Sequence, residues 1–179
     1  MNFIYVIEKL KQSKSKKMNI FSLDKTSELS AKMLCDKHIP KMLLESCQML
    51  STALRQNGYE DDYLYKLAYP NHPMTKWVGH NRSNFMWAFK NADEISKEYL
   101  KRFGKIHKSN RILDFIVDNN MQKHITKQMH PDYITTPPQC MPDEYKDDDY
   151  VVAYRRYYVG EKKYFAKWEK GRSQPEWWV

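Results

Sequence analysis

The chain has 179 residues, enough to bury one core and too few for two comfortable domains. Lys and Arg total 30 against 22 Asp and Glu, and the +8 surplus favours polyanionic partners, DNA or RNA before an acidic membrane surface. No run approaches the ~18 apolar residues of a spanning helix. The five glycines build no Walker A loop, Gly-x-Gly-x-x-Gly or Gly-x-Ser-x-Gly, so P-loop, dinucleotide and serine-hydrolase chemistry are excluded and no cofactor is expected.

Met1–Lys17 carries five lysines and one glutamate, and its apolar pattern does not continue into Met18 and beyond, so residues 1–17 read as a basic arm. Met18–Leu23 is a short apolar lead-in that begins a single helical domain over 18–179. Thr26 and Ser27 offer N-caps for a first helix from Glu28 to about His38. Pro40 either kinks that helix or stands in the first turn of a second, which runs to about Gln56 with Ile39, Leu43, Cys47, Leu50 and Leu54 on one face. Asn57–Thr75 reads as a loop. The strongest helix comes next, capped by Ser83, with Phe85, Ala88, Phe89, Ala92, Ile95, Tyr99, Leu100 and Phe103 at steps of three and four and Gly104 as its stop.

A shorter helix spans Asn110–Asp118, residues 119–142 form an ordered, Pro-rich loop, and Asp147–Asp149 open a final helix to Glu169. No pair of alternating strands is present, so the class is all-α, a compact single-domain bundle with long ordered loops. Cys35, Cys47 and Cys140 are odd in number and match no metal or disulfide framework. They read as thiols of a reducing compartment, the cytoplasm (the host's, if the protein is viral), and no metal is expected.

Three segments carry chemistry. Residues 150–172 interleave seven Lys/Arg, among them Arg155, Arg156, Lys162 and Lys163, with seven aromatics, of which Tyr154, Tyr158, Phe165 and Trp168 suit the core while the cations suit phosphates. Lys37, His38, Lys41, Glu45 and Gln48 form a polar stripe in which Glu45 and His38 are the candidate proton-handling pair and Lys37 and Lys41 candidate phosphate contacts. His72-Pro73, then His80, Asn81 and Arg82 before Ser83, fit an anion site at a helix start. The sharpest expectation is that Lys37, His38, Lys41, Glu45, His80 and Arg82 line one cleft. The bland reading of each segment alone is an ordinary solvated helix face.

The order of these pieces resembles the pyrimidine-dimer DNA glycosylase family, endonuclease V type, through Met18-Asn19-Ile20-Phe21-Ser22-Leu23, Lys37-His38 with Lys41, His72-Pro73 and Lys101-Arg102-Phe103-Gly104. A second resemblance, to an uncharacterised phage protein family, runs through Cys35-Asp36-Lys37-His38, Met141–Tyr145 and Pro175-Glu176-Trp177. The first implies a helical fold, DNA as partner, and base excision or base modification. It also implies an attacking N-terminal α-amine and a first-helix glutamate. Here seventeen residues precede the matching start, the glutamate position holds His38, and Glu45 lies two turns further on. The rival reading is a non-catalytic phage accessory factor that binds nucleic acid or protein.

Overall fold

The computed structural model describes residues 18–125 and 133–179; the expected basic arm, residues 1–17, lies outside them. All regular structure among these residues is helical: α1 Ser27–Met33, α2 His38–Gln56, α3 Pro73–Val78, α4 Arg82–Phe103, α5 Asn110–Asp118 and α6 Tyr150–Lys162, with 3-10 turns at Met121–His124 and Asp143–Tyr145. The central helix α4 packs along both α1 and α2, which explains why it is buried over a wider arc than its apolar stripe. Phe85, Ile95 and Tyr99 are buried and Phe89 and Phe103 half-buried, but Leu100, expected on the same face, is exposed. Trp87 and Asn91 meet α1 instead: their side chains donate to Lys25 O (3.2 Å) and Ser27 O (2.9 Å).

Several helix limits differ from the sequence reading, each for a local reason. α1 is capped by Thr26, whose hydroxyl accepts from Leu29 N (3.3 Å), but it ends at Met33 rather than His38. Arg102 from α4 donates to the carbonyls of Lys32 (2.9 Å) and Leu34 (2.8 Å), satisfying acceptors that a continued helix would have used itself. α2 then restarts at His38 with Pro40 in its first turn, where a missing N–H costs no helical bond. The 57–75 loop gives way to α3, started by His72 and Pro73, with His72 Nδ1 accepting from Met74 N (3.2 Å). The cap of α4 is Asn81 and not Ser83: Asn81 Oδ1 accepts from Asn84 N at 2.7 Å. Gly104 stops it in the left-handed region, φ 66°.

Asp149 caps α6 as expected, accepting from Val151 N (2.8 Å), but α6 ends at Lys162 rather than Glu169. Beyond it the backbone serves the α1–α2 connection: Asp36 N donates to Lys167 O (2.9 Å), and Asp36 Oδ2 accepts from Glu169 N (2.7 Å) and Lys170 N (3.1 Å). Arg102 ties the two together. Its side chain is 0% exposed and bonded to Asp36 (3.1 Å) and Glu98 (2.9 Å), and Glu98 also receives Arg172 from the tail. Breaking such a buried pair leaves a stranded charge. Arg102→Ala should therefore lower unfolding stability in urea by about 3–5 kcal/mol; a loss under about 1 kcal/mol would show the network to be dispensable.

Candidate active site

Residues three, four and seven apart return to one side of a helix. On α2 this places His38, Lys41, Glu45, Gln48, Thr52 and Gln56 in a single stripe. His38 and Thr52 are buried under other segments and exposed Gln56, at the far end, donates to Pro70 O, which leaves Lys41, Glu45 and Gln48, with adjacent Leu44, as the reachable window.

Glu45 is its centre, with its side chain only 13% exposed. One carboxylate oxygen accepts from the backbone N–H of Asn19 (3.1 Å) and the other lies 3.7 Å from Lys41 Nζ. Asn19 is buried and held on its other side, donating through Nδ2 to Cys140 O (3.1 Å) and accepting from the Tyr154 hydroxyl (3.1 Å). Burial raises the Glu45 carboxyl above the ordinary glutamate value, opposed by Lys41 and the Asn19 N–H.

His38 lies one turn before Lys41 in a different setting. Its Nδ1 is 2.7 Å from the Tyr158 hydroxyl, which accepts from Cys35 N (3.1 Å). Phe21 stacks on it at 5.0 Å and Phe165 meets it edge-on at 5.2 Å. Burial, then Lys41, Lys162 and Lys37, pushes its pKa down to about 3. Two of those lysines lie over the aromatic rings: Lys37 Nζ is 4.7 Å over Phe165, and Lys162 Nζ 4.7 Å over Tyr157 and 5.9 Å over Phe21. The ends of α2 and α6 thus gather Lys37, Lys41 and Lys162 around His38, and Lys41 links that group to Glu45.

The other candidates are placed elsewhere. Gly79 packs on Ala53, so His80, Asn81 and Arg82 sit by the far end of α2, about 18 Å along its axis from Lys41. The expected shared cleft does not form. Asn81 is a buried cap that also donates to Tyr133 O (3.2 Å), and Arg82 is exposed. Arg155 donates to Leu23 O (2.8 Å) and lies 3.4 Å from Asp24, Arg156 pairs with Asp147 (2.7 Å), and Lys163 donates to Val179 O (3.2 Å). The residue that the sequence reading passed over is Asn19. A lone amide in the apolar lead-in Met18–Leu23 was the available sign, because a buried polar group needs partners.

Among the described residues no three His, Cys, Asp or Glu side chains are grouped to hold a metal, and no helix is long and apolar enough to cross a membrane. Residues 18–111 match a family model described as pyrimidine dimer DNA glycosylase, a span that holds Asn19, Lys37, His38, Lys41 and Glu45 but not Lys162. No curated protein and no solved structure matches the chain.

His38 makes the fold acid-sensitive. Its folded pKa of about 3 lies below the unfolded value near 6.5, so on acidification the unfolded state binds the proton first. Stability present above about pH 6.5 is lost as pH falls toward 3, at up to about 1.4 kcal/mol per pH unit. Urea midpoints at pH 7, 5 and 4 should fall less steeply for His38→Gln than for the parent; parallel lines would mean the ring titrates as if solvated.

Proposed function

Because the chain belongs to the pyrimidine dimer DNA glycosylase family, we propose that it excises a base from DNA at the Glu45 window. The observation that carries this is the half-hidden Glu45 carboxylate, hydrogen-bonded to Asn19 N and opposed by Lys41, inside the matched span. A target base must leave the stack to be reached. Lys37, Lys41 and Lys162 would take the flanking phosphates, and Phe21, Tyr157 and Phe165 give that rim an aromatic floor.

Glu45 is assigned the chemistry. Water attacks C1′ of the sugar, the bond from C1′ to the base breaks with its electrons leaving on the base, and Glu45 takes the water proton. The same carboxylate opposes the positive charge that develops on the sugar. A raised pKa suits a base that must also give the proton back. His38 is assigned a positioning role: neutral and bonded to Tyr158, it supports Phe21 and the N-terminal turn of α2.

The family resemblance implies an attacking N-terminal amine. In this chain the nitrogen beside Glu45 belongs to the Met18–Asn19 peptide bond, whose lone pair is delocalised into the carbonyl. The intact chain is therefore assigned hydrolysis, leaving an abasic site without an imine.

Single-turnover assays on duplexes carrying one pyrimidine dimer, beside undamaged and base-modified duplexes, test this. Glu45→Gln should cut glycosidic cleavage, read as abasic sites because a dimerised base stays joined to its neighbour, by roughly 10²–10⁴-fold and leave DNA affinity nearly unchanged. Borohydride should trap no covalent complex with the intact chain. Equal loss of affinity and turnover would make Glu45 structural, trapping would restore the amine mechanism, and salt-dependent binding with no glycosidic cleavage in any substrate would favour the non-catalytic reading.

A further inference from the structure

The loop after α2 carries an oddity that neither the core nor the Glu45 window explains. Its backbone is fastened to α2 along the stripe that bears Glu45. Ala68 N donates to Thr52 Oγ1 (3.0 Å), Gln56 Nε2 donates to Pro70 O (3.1 Å), and Arg55, just beside the stripe, donates to Tyr65 O (2.9 Å) and Asp61 O (2.7 Å). On this rigid base the tip turns two large apolar side chains outward: Leu67 is 56% exposed and Tyr69 48%. Ala68 between them is held to the Thr52 hydroxyl by its backbone N–H.

Tyr69 is also strained. Its φ is +47°, a region that a bulky side chain occupies at a cost and glycine would occupy freely, and Pro70 succeeds it, which disfavours helical backbone before it. The turn is closed by His72 N donating to Tyr69 O (3.0 Å). An exposed, strained aromatic adds nothing to the core and invites an explanation in function.

Position supplies one. Thr52 lies two helical turns from Glu45 on the same stripe, about 10 Å along the axis, and successive bases of a DNA strand are about 3.4 Å apart. A duplex whose target nucleotide reaches Glu45 therefore runs past the tip within a few base steps. Lys66 is exposed next to Leu67; of the acidic residues earlier in the loop, Glu60 is paired with Arg55, Asp61 accepts from Tyr63 N (2.7 Å), and Asp62 is exposed.

We propose that Leu67 and Tyr69 form a wedge that enters the base stack of duplex DNA next to the target, opening the step and filling the gap left by the extruded base. This rests on the reading that the Glu45 window acts on DNA. Apolar wedges act by unstacking a step, and the loop's rigid fastening to α2 would set the depth of insertion. Strain at Tyr69 then keeps the ring out of the loop and presented to the DNA.

The probe is a duplex with 2-aminopurine beside a single thymine dimer, compared with the same strand unpaired. The parent should raise 2-aminopurine fluorescence on the duplex. Tyr69→Gly, which removes both ring and strain, should keep or raise the melting temperature yet abolish the fluorescence rise. It should also slow abasic-site formation in the duplex at least tenfold, with under threefold change on the single strand. Leu67→Ser should give a weaker version of the same pattern. Glu45→Gln should keep the fluorescence rise and lose cleavage. No rise with the parent, or a rise and duplex rate unchanged in Tyr69→Gly, overturns the wedge. A Tyr69-dependent rise without abasic-site formation would keep the wedge and sink the excision reading, while cleavage indifferent to Tyr69 would do the reverse.

Discussion

The guanidinium of Arg102 meets the carbonyls of Lys32 and Leu34 and the carboxylates of Asp36 and Glu98, with none of its side chain exposed. The site depends on that convergence. It ends α1 at Met33, bends the chain through Leu34–Lys37 and lets α2 restart at His38, and this sets which residues fall on the stripe with Glu45. It also presents Asp36 to the backbone of the C-terminal tail, which in turn supplies Phe165 to the wall around His38. A buried charge of this kind is no gain over a well-packed apolar group in stability alone; its value here is that the break occurs at one place.

From that geometry the electrostatics of the window arise. Three lysines crowd one end of α2, and two titratable groups a few residues apart respond in opposite ways. His38, deep under Phe21 and Tyr158, is kept neutral because burial and the neighbouring cations both oppose a second proton. In Glu45 burial favours the proton while Lys41 and the Asn19 N–H resist it, and burial prevails. Opposite displacement of neighbouring groups by their surroundings is how one site separates a proton carrier from a fixed dipole. Assignment of the proton to Glu45 rather than His38 rests on this contrast.

Much of the fold was legible because periodicity and caps are local. The stripe of α2, the long α4, Gly104 as its stop and Asp149 as the cap of α6 all stand where spacing and residue type put them. What escaped was set by distant partners. The residues that stop α1 lie 66 to 70 positions from Arg102, and α6 gives out at Lys162 because backbone beyond it is claimed by Asp36, 133 and 134 positions away. The site divided likewise. Glu45, His38, Lys37 and Lys41 were readable as one helical face, and Lys162 as a basic residue among aromatics. That Lys162 joins them while His80–Arg82 stand at the far end of α2 is a matter of packing that no spacing reveals. Asn19 went unnoticed because its partners, Glu45, Cys140 and Tyr154, are 26, 121 and 135 positions along the chain.

The central claim is that Glu45, in its ionised form and tuned by Lys41, carries the reaction. The pH dependence of single-turnover glycosidic cleavage in a dimer-containing duplex, read as abasic sites, tests it most directly, measured for the parent and for Lys41→Met. Burial raises the Glu45 carboxyl, so the parent's rate should fall on the acid side at a pH above the ordinary glutamate value. Lys41 holds that carboxyl down, and with enzyme in saturating excess over DNA its removal should move the acid limb to still higher pH. An acid limb at the ordinary glutamate position that Lys41→Met leaves in place, or no glycosidic cleavage at any pH, would contradict the account.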